Sequence, residues 1–511
     1  MSIRTLIWPK KTLLLAAFLC SLATQTFAQT PKTPAPKPVK STFSPATLFS
    51  APQISLRVLP NGVRSIAKQT RGAGVVSVQV WVRAGSRHEE VRQNGAAHLV
   101  GVAAVNASRE YSLKSGGIGT SLSALGADVQ EQTARDASNL AVTVAPQYTA
   151  DAMRALSDAT LRPDLSDAAL SIAKTESLND IALRAGDPVS ATSDFAYATA
   201  FARHDYRRAA LGDEADIQAL TSTRVREFHA SRYRGGNISV VIVGDISAAR
   251  AHQLTAQFFG VAPRATLETV TNDNSFAAKN VRRFSSAARI TTSLSFRAPG
   301  LNAPEDVVAT DVLLSYWNEG RDAQMRKILL PQPNATSSTR SAENANEDAP
   351  ENALPPAPEA APALGLDIAY LTQRDPSLLS FTFVTEPESA VLAEKILFSE
   401  IARVRKSGLT NAELRRAKTL LSRQYVAQGE TASGQAGALG FYDAIGSYTF
   451  AVEYLNRIAR VSNRDIERVA VRYLQSNRVV RIVVEPSMNA APPDNSPDNR
   501  DDATDEGETD A

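Results

Sequence analysis

A chain of 511 residues, 43% of them apolar, carries enough hydrophobic material for two or three globular domains. Its 55 basic and 53 acidic residues nearly cancel, which excludes a global field favouring nucleic acid or an anionic membrane and also excludes wholesale disorder. The single cysteine, Cys20, lies in a segment expected to be removed, so disulfides, thiolate metal sites and cysteine nucleophiles are excluded from the mature chain.

Residues 1–28 run from Arg4, Lys10 and Lys11 through the apolar stretch Leu13 to Leu19 to Thr26-Phe27-Ala28, the order of a secretory signal cleaved after Ala28. The stretch is shorter than the roughly 20 residues that cross a bilayer. A mature chain without an integral span is therefore expected, secreted across the inner membrane into a periplasmic or extracytoplasmic space. Residues 29–52, rich in Pro, Lys, Thr and Ser, read as an extended tether.

The next segments repeat. Val76, Val78, Val80 and Val82 alternate with Ser77, Gln79 and Trp81, the period of a half-buried strand, which ends in Arg83-Ala84-Gly85 before a helical pattern. Leu294 and Phe296 alternate with Ser293 and Ser295 in the same way, ending in Arg297-Ala298-Pro299-Gly300. Leu140 to Val144 before Pro146 is echoed by Leu379 to Val384 before Pro387, and each precedes a long helical pattern. Arg232-Tyr233-x-x-x-Asn237 before the apolar run Ile238 to Val243 is echoed by Arg472-Tyr473-x-x-x-Asn477 before Val479 to Val484. Each of these follows a helix capped near Thr221 or Ser462. The halves are expected at 53–265 and 280–487, joined by a linker at 266–279. Residues 331–362 interrupt the second half with a Pro-rich stretch lacking apolar period, and 488–511 form an acidic tail; both are expected to be disordered. The glycines of Gly434-Gln-Ala-Gly437-Ala-Leu-Gly440 lack the Lys-Ser/Thr of a phosphate loop and read as a closely packed helix face.

The ordered series Asn61-Gly62-Val63-Arg64, Val78 to Arg87, Gly95-Ala-Ala-His98, Leu125-Gly126-Ala127, Thr133-Ala-Arg135-Asp136, Asp187-Pro188 and Tyr233-Arg-Gly-Gly-Asn237 resembles the pitrilysin/insulinase family, the inverzincin metallopeptidases that include the mitochondrial processing peptidase. The fold this resemblance implies is α+β: two homologous α/β sandwich units, each a mostly antiparallel sheet packed with helices, facing each other as a clamshell. Active members carry H-x-x-E-H on a helix, where two histidines one turn apart bind zinc, the glutamate activates its water and a downstream glutamate completes the site.

Here the helix reads His98-Leu99-Val100-Gly101-Val102. His98 matches the first ligand, Gly101 stands at the base and Val102 at the second ligand. Asp180 matches the downstream acid, with Glu176 the alternative register. Glycine cannot abstract a proton and valine cannot coordinate a metal, so no catalytic residue, no zinc and no other cofactor is expected, with His98 and Asp180 as remnants of the site. The remaining histidines, His88, His204, His229 and His252, match regions without ligands. Tyr370, in Gly365 to Tyr370, resembles a substrate-holding tyrosine of active members, but the arginine expected before it falls near Leu329 or Leu330.

The expected function is that of a non-catalytic subunit that pairs with an active zinc peptidase of the same family and helps bind peptide or unfolded polypeptide. The alternatives are a structural or peptide-binding scaffold similar to the core subunits of respiratory complexes, and an active zinc metalloendopeptidase with unrecognised ligands.

Overall fold

The computed structural model describes residues 54–265, 275–285, 289–320, 322–331 and 361–487. The expected signal, the tether, most of the linker and of the 331–362 insertion, and the acidic tail lie outside the described residues.

In chain order the first half contains β1 (Ile54–Val58), β2 (Arg64–Gln69), β3 (Val76–Val82), α1 (Ala96–Asn106), α2 (Gly117–Ser123), β4 (Gln130–Thr133), β5 (Ser138–Val144), α3 (Thr149–Leu161), α4 (Asp167–Gly186), α5 (Pro188–Ala200), α6 (Glu214–Ala219), α7 (Ser222–Arg232), β6 (Ile238–Gly244) and α8 (Ala248–Phe259). The second contains β7 (Lys279–Ser285), β8 (Ile290–Ala298), α9 (Pro304–Asn318), α10 (Gln324–Leu329), β9 (Gly365–Tyr370), β10 (Ser377–Thr385), α11 (Ala390–Ser407), α12 (Asn411–Gln428), α13 (Ala432–Ile445), α14 (Thr449–Arg460), α15 (Asn463–Tyr473) and β11 (Val479–Pro486).

The first sheet has the order β1-β2-β6-β3-β5-β4 and the second β7-β11-β8-β10-β9. Apart from the extra edge strand β1, the orders match strand for strand. Both sheets are antiparallel except at one place, where β2 pairs in parallel with β6 and β7 pairs in parallel with β11. The expected caps form: Thr221 Oγ1 accepts from the Arg224 N–H at the start of α7, and Ser462 Oγ from the Asp465 N–H at the start of α15.

Alternation along β3 predicts a strand with one wet face, yet all seven of its residues are buried. The reason is a helix some 350 residues away in the chain: α13 of the second half lies across β3 and β6, over Gln79 and Trp81. The glycine run permits this approach. A Cβ on Gly440 would stand 2.8 Å from Trp81 Cε2, and one on Gly437 would reach 3.8 Å from Gln79 Oε1. Gln79 Nε2 donates to the Ser433 carbonyl, and Lys68 Nζ to Gln435 Oε1. Reciprocally, α5 of the first half packs on β8 and β11, where Ala196, Tyr197, Ala200 and Phe201 cluster with Leu378, Val480 and Ile482. Each unit thus lends one helix to the other's sheet.

Buried charge fastens the exchange. Asp443 on α13 is wholly buried and accepts from Arg64 Nε (2.9 Å), Arg64 Nη2 (2.8 Å) and Ser239 Oγ (2.6 Å). Arg87 donates to Asp136 (2.7 Å) in its own unit and to Asp375 (2.6 Å) in the other.

Candidate functional site

The site begins with how α1 starts. Gly95, at φ 87°, adopts the left-handed conformation that lets the chain turn into the helix. The buried carboxyl group of Glu89 then meets the helix N-terminus, accepting from the Gly95 N–H (3.0 Å) and the Ala97 N–H (2.9 Å). Burial pushes Glu89 up to about 8, against the downward pull of these two backbone bonds. Every residue of α1 from Ala96 to Ala104 is buried, because the helix lies among α4, α7 and the first sheet.

His98 projects from this helix toward α4. Its Nε2 lies 3.7 Å from Asp180 Oδ2, beyond hydrogen-bonding distance. Neither ring nitrogen has a hydrogen-bond partner among the described residues. Burial lowers His98 to about 4, so the ring is neutral at pH 7 and the contact with Asp180 is not an ion pair. Glu176 is turned to the surface, where it accepts from Asn106 Nδ2 (2.9 Å). The chain therefore brings His98 and Asp180 together.

The next turn of α1 carries the two departures. A Cβ on Gly101 would fall within contact of Glu131 Oε1 and 2.8 Å from Glu131 Cδ. Glu131, on β4, is held there by Thr133 Oγ1, which donates to its Oε1 (2.9 Å). A carboxylate from another element thus fills the place where a side chain at position 101 would begin. Val102 is buried in the first core.

A catalytic zinc takes three protein ligands and leaves a position for water. His98 and Asp180 supply two donors, and Val102 supplies a hydrocarbon. Among the described residues no group of three His, Cys, Asp or Glu side chains could hold a metal ion. The donor set does not fit that ion.

The other histidines are engaged in packing. His88 Nδ1 accepts from the Gly85 N–H, His229 Nε2 donates to the Thr160 carbonyl, and His252 lies between Ser55 and Ser65. His204 Nδ1 accepts from the Tyr206 N–H, which leaves Nε2–H to face Asp375 at 3.3 Å. Tyr370 is part of the second core, and its hydroxyl donates to the Pro299 carbonyl (2.9 Å). Leu329, near the expected arginine, is buried in that same core. Tyr370 thus belongs to the core of the second unit, and His98 to the helix α1 of the first. Glu131 and Asp443 carry no local sequence signal, because each acts on residues remote in the chain. Asp136 stood in the motif Thr133-Ala-Arg135-Asp136, which was the available signal for the Arg87 network.

Comparison with known proteins decides the lineage. The family model described as Insulinase (Peptidase family M16) matches residues 64–214, and that described as Peptidase M16 inactive domain matches 219–342. The chain belongs to the insulinase family. An uncharacterized zinc protease of Mycobacterium bovis is 24% identical over 453 residues, 87% of this chain and 95% of that protein. One of Mycobacterium leprae is 25% identical over 202 residues, which span only 45% of its length. A probable mitochondrial-processing peptidase subunit beta of Arabidopsis thaliana is 20% identical over 279 residues, 53% of this chain and 52% of that one. Among solved structures, a protease from Helicobacter pylori superposes with a TM-score of 0.72 at 17% identity, covering 85% of this chain and 99% of the other. A peptidase M16 inactive domain from Pseudomonas fluorescens superposes with a TM-score of 0.70 at 17% identity, over 86% and 100%. These likenesses establish the paired-unit fold for this member of the family.

Proposed function

We propose that this chain is a non-catalytic subunit of the insulinase family, which pairs with an active zinc peptidase and helps bind its peptide substrate. One observation carries the reading: in an otherwise complete pair of units, the helix that should bear H-x-x-E-H has glycine and valine at the base and second-ligand positions, and Glu131 occupies the space beside that glycine. Without a general base and a third ligand, the water-activating step has no residue to perform it. The fold, the buried helix and the first histidine are retained, which supports a role in shape and binding. The name subunit beta carried by processing-peptidase relatives supports an assembly of more than one chain. Residues 1–28 support a site of action outside the cytoplasm.

The test is cleavage of a quenched fluorescent peptide by residues 29–511, alone and mixed with an active family member from the same source, with complex formation followed by size-exclusion chromatography. The reading expects no turnover alone, and a complex whose turnover exceeds that of the partner by itself. Chelator-sensitive turnover by this chain alone overturns it, as does the absence of both complex and gain.

A further inference from the structure

The two units carry an equivalent arginine, and among the described residues only one of the two is answered. Arg83 directly follows β3, and its N–H donates to the Asn237 carbonyl at the head of β6 (3.0 Å). The C-terminal end of α13 closes over its guanidinium: Nε donates to the Ala444 carbonyl (2.9 Å) and Nη2 to the Asp443 carbonyl (2.5 Å), with the Asp443 carboxylate 4.0 Å away. The space remaining there is about 20 Å³.

Arg297 holds the matching position near the end of β8, one step along the ladder from the Phe296–Val479 pair and beside Arg478. Arg472 and Tyr473 end α15 as Arg232 and Tyr233 end α7. The helix that corresponds to α13 is α5, and its last carbonyl, of Ala200, accepts from the Ala277 N–H (3.0 Å) instead of from an arginine. Arg297 Nε is buried with no hydrogen-bond partner among the described residues. The side chain lines a cavity of about 370 Å³, walled also by Arg472, Arg478, Tyr473 and Phe276. Arg472 and the Tyr473 hydroxyl both meet Asp306, at 3.0 and 2.8 Å. Neither Arg297 nor Arg478 has an acidic partner among the described residues. Burial lowers Arg297 from its ordinary value, Tyr473 opposes this, and the neighbouring Arg478 and Arg472 add to it.

We infer that this cavity on the second unit is a binding site for the carboxylate of a peptide, held by Arg297 and Arg478. The first unit displays the chemistry that satisfies the arginine, namely main-chain carbonyl oxygens and an aspartate carboxylate on one short segment. Arginine's planar fork suits a carboxylate and adjoining carbonyls, and the cavity has the size of a ligand pocket. Phe276 gives the segment an apolar wall. The inference does not depend on the subunit reading, since it concerns the opposite unit from His98.

Residues 29–511 are titrated into a fluorescein-labelled, C-terminally amidated peptide of alternating Asp and Ala, and into its Asn–Ala counterpart, with anisotropy as readout. The Asp peptide binds saturably, the Asn peptide at least about tenfold more weakly, and Arg297→Met loses at least about tenfold for the Asp peptide. Arg297→Met keeps its thermal transition, because among the described residues Arg297 Nε has no hydrogen-bond partner and the guanidinium no acidic one to lose. Should it misfold, Arg297→Lys serves, keeping the charge without the fork and weakening the Asp peptide selectively. Repetition with a chain ending at Ser487 separates the sources of carboxylate: tighter binding means that the chain's own eight acidic residues between Pro492 and Ala511 compete for the cavity, and unchanged binding means that another chain supplies it. Equal affinity for the two peptides, undiminished binding by a folded Arg297 variant, or displacement by micromolar inorganic phosphate overturns the inference.

Discussion

Restoring the lost base, Gly101→Glu, probes whether Glu131 truly occupies its place. The new Cβ lies 2.8 Å from Glu131 Cδ and closer still to Oε1, so Glu131 must swing away and surrender the hydrogen bond from Thr133. That bond is worth about 1 kcal/mol. Two carboxylates about 4 Å apart repel by up to about 4 kcal/mol at an effective dielectric near 20, and Glu131 is half-buried, so screening reduces this to about 2 kcal/mol. Replacing a mid-helix glycine returns about 1 kcal/mol of helix propensity. Gly101→Glu should therefore cost about 2 kcal/mol, read from the urea midpoint at constant slope. In a Glu131→Ala background the same substitution should be neutral or stabilising, giving a coupling of about 2–3 kcal/mol in the double-mutant cycle. A Gly101→Glu chain as stable as the parent, with no coupling to Glu131, would refute the reasoning.

Asp443→Ala should cost about 3–5 kcal/mol, because it leaves the guanidinium of Arg64 and the buried Arg83 without their carboxylate; Trp81, beneath α13, reports the loosening by its fluorescence. Arg87→Ala should cost a similar amount by stranding the buried Asp136, measured by thermal unfolding. Burial alone would raise Asp375, but the His204 hydrogen bond and the Arg87 charge bring it down to about 2, so its contribution is present above the ordinary carboxylate value and fades as pH falls toward 2. His98 behaves in the same sense by a different route. Its folded value near 4 lies below its ordinary value of 6.5, the unfolded chain binds the proton first, and about 3 kcal/mol of stability is lost as pH falls from 6.5 to 4. His98→Leu should flatten that part of the stability profile, and an unchanged slope would show that the ring is not buried neutral.

Much of the fold was legible because the chain states it twice. Strand periods, the capped helices near Thr221 and Ser462 and the Arg-Tyr-x-x-x-Asn echoes recur in one order, and repeated local chemistry builds the same sheet order in both halves. The small-residue run Gly434 to Gly440 signalled close packing, but not its target: nothing in Gln79 or Trp81 announces a helix from the other half, so β3 read as half-buried. The departures at Gly101 and Val102 were visible from spacing alone, because i and i+4 share a helix face. What fills the gap was not visible. Glu131 reaches Gly101 through pairing and packing of remote segments, and Asp443 meets Arg64 across 379 positions of sequence. Tyr370 reads the same on a strand whether it faces substrate or a core, and the partner of its hydroxyl, the Pro299 carbonyl, lies 71 positions away in the chain.

The zinc content of residues 29–511, dialysed against trace zinc and measured by elemental analysis, tests the central claim most directly. The account predicts substoichiometric metal that washes away, since His98 and Asp180 offer two donors where a catalytic ion needs three. About one tightly held zinc per chain would contradict it and return hydrolysis to this chain.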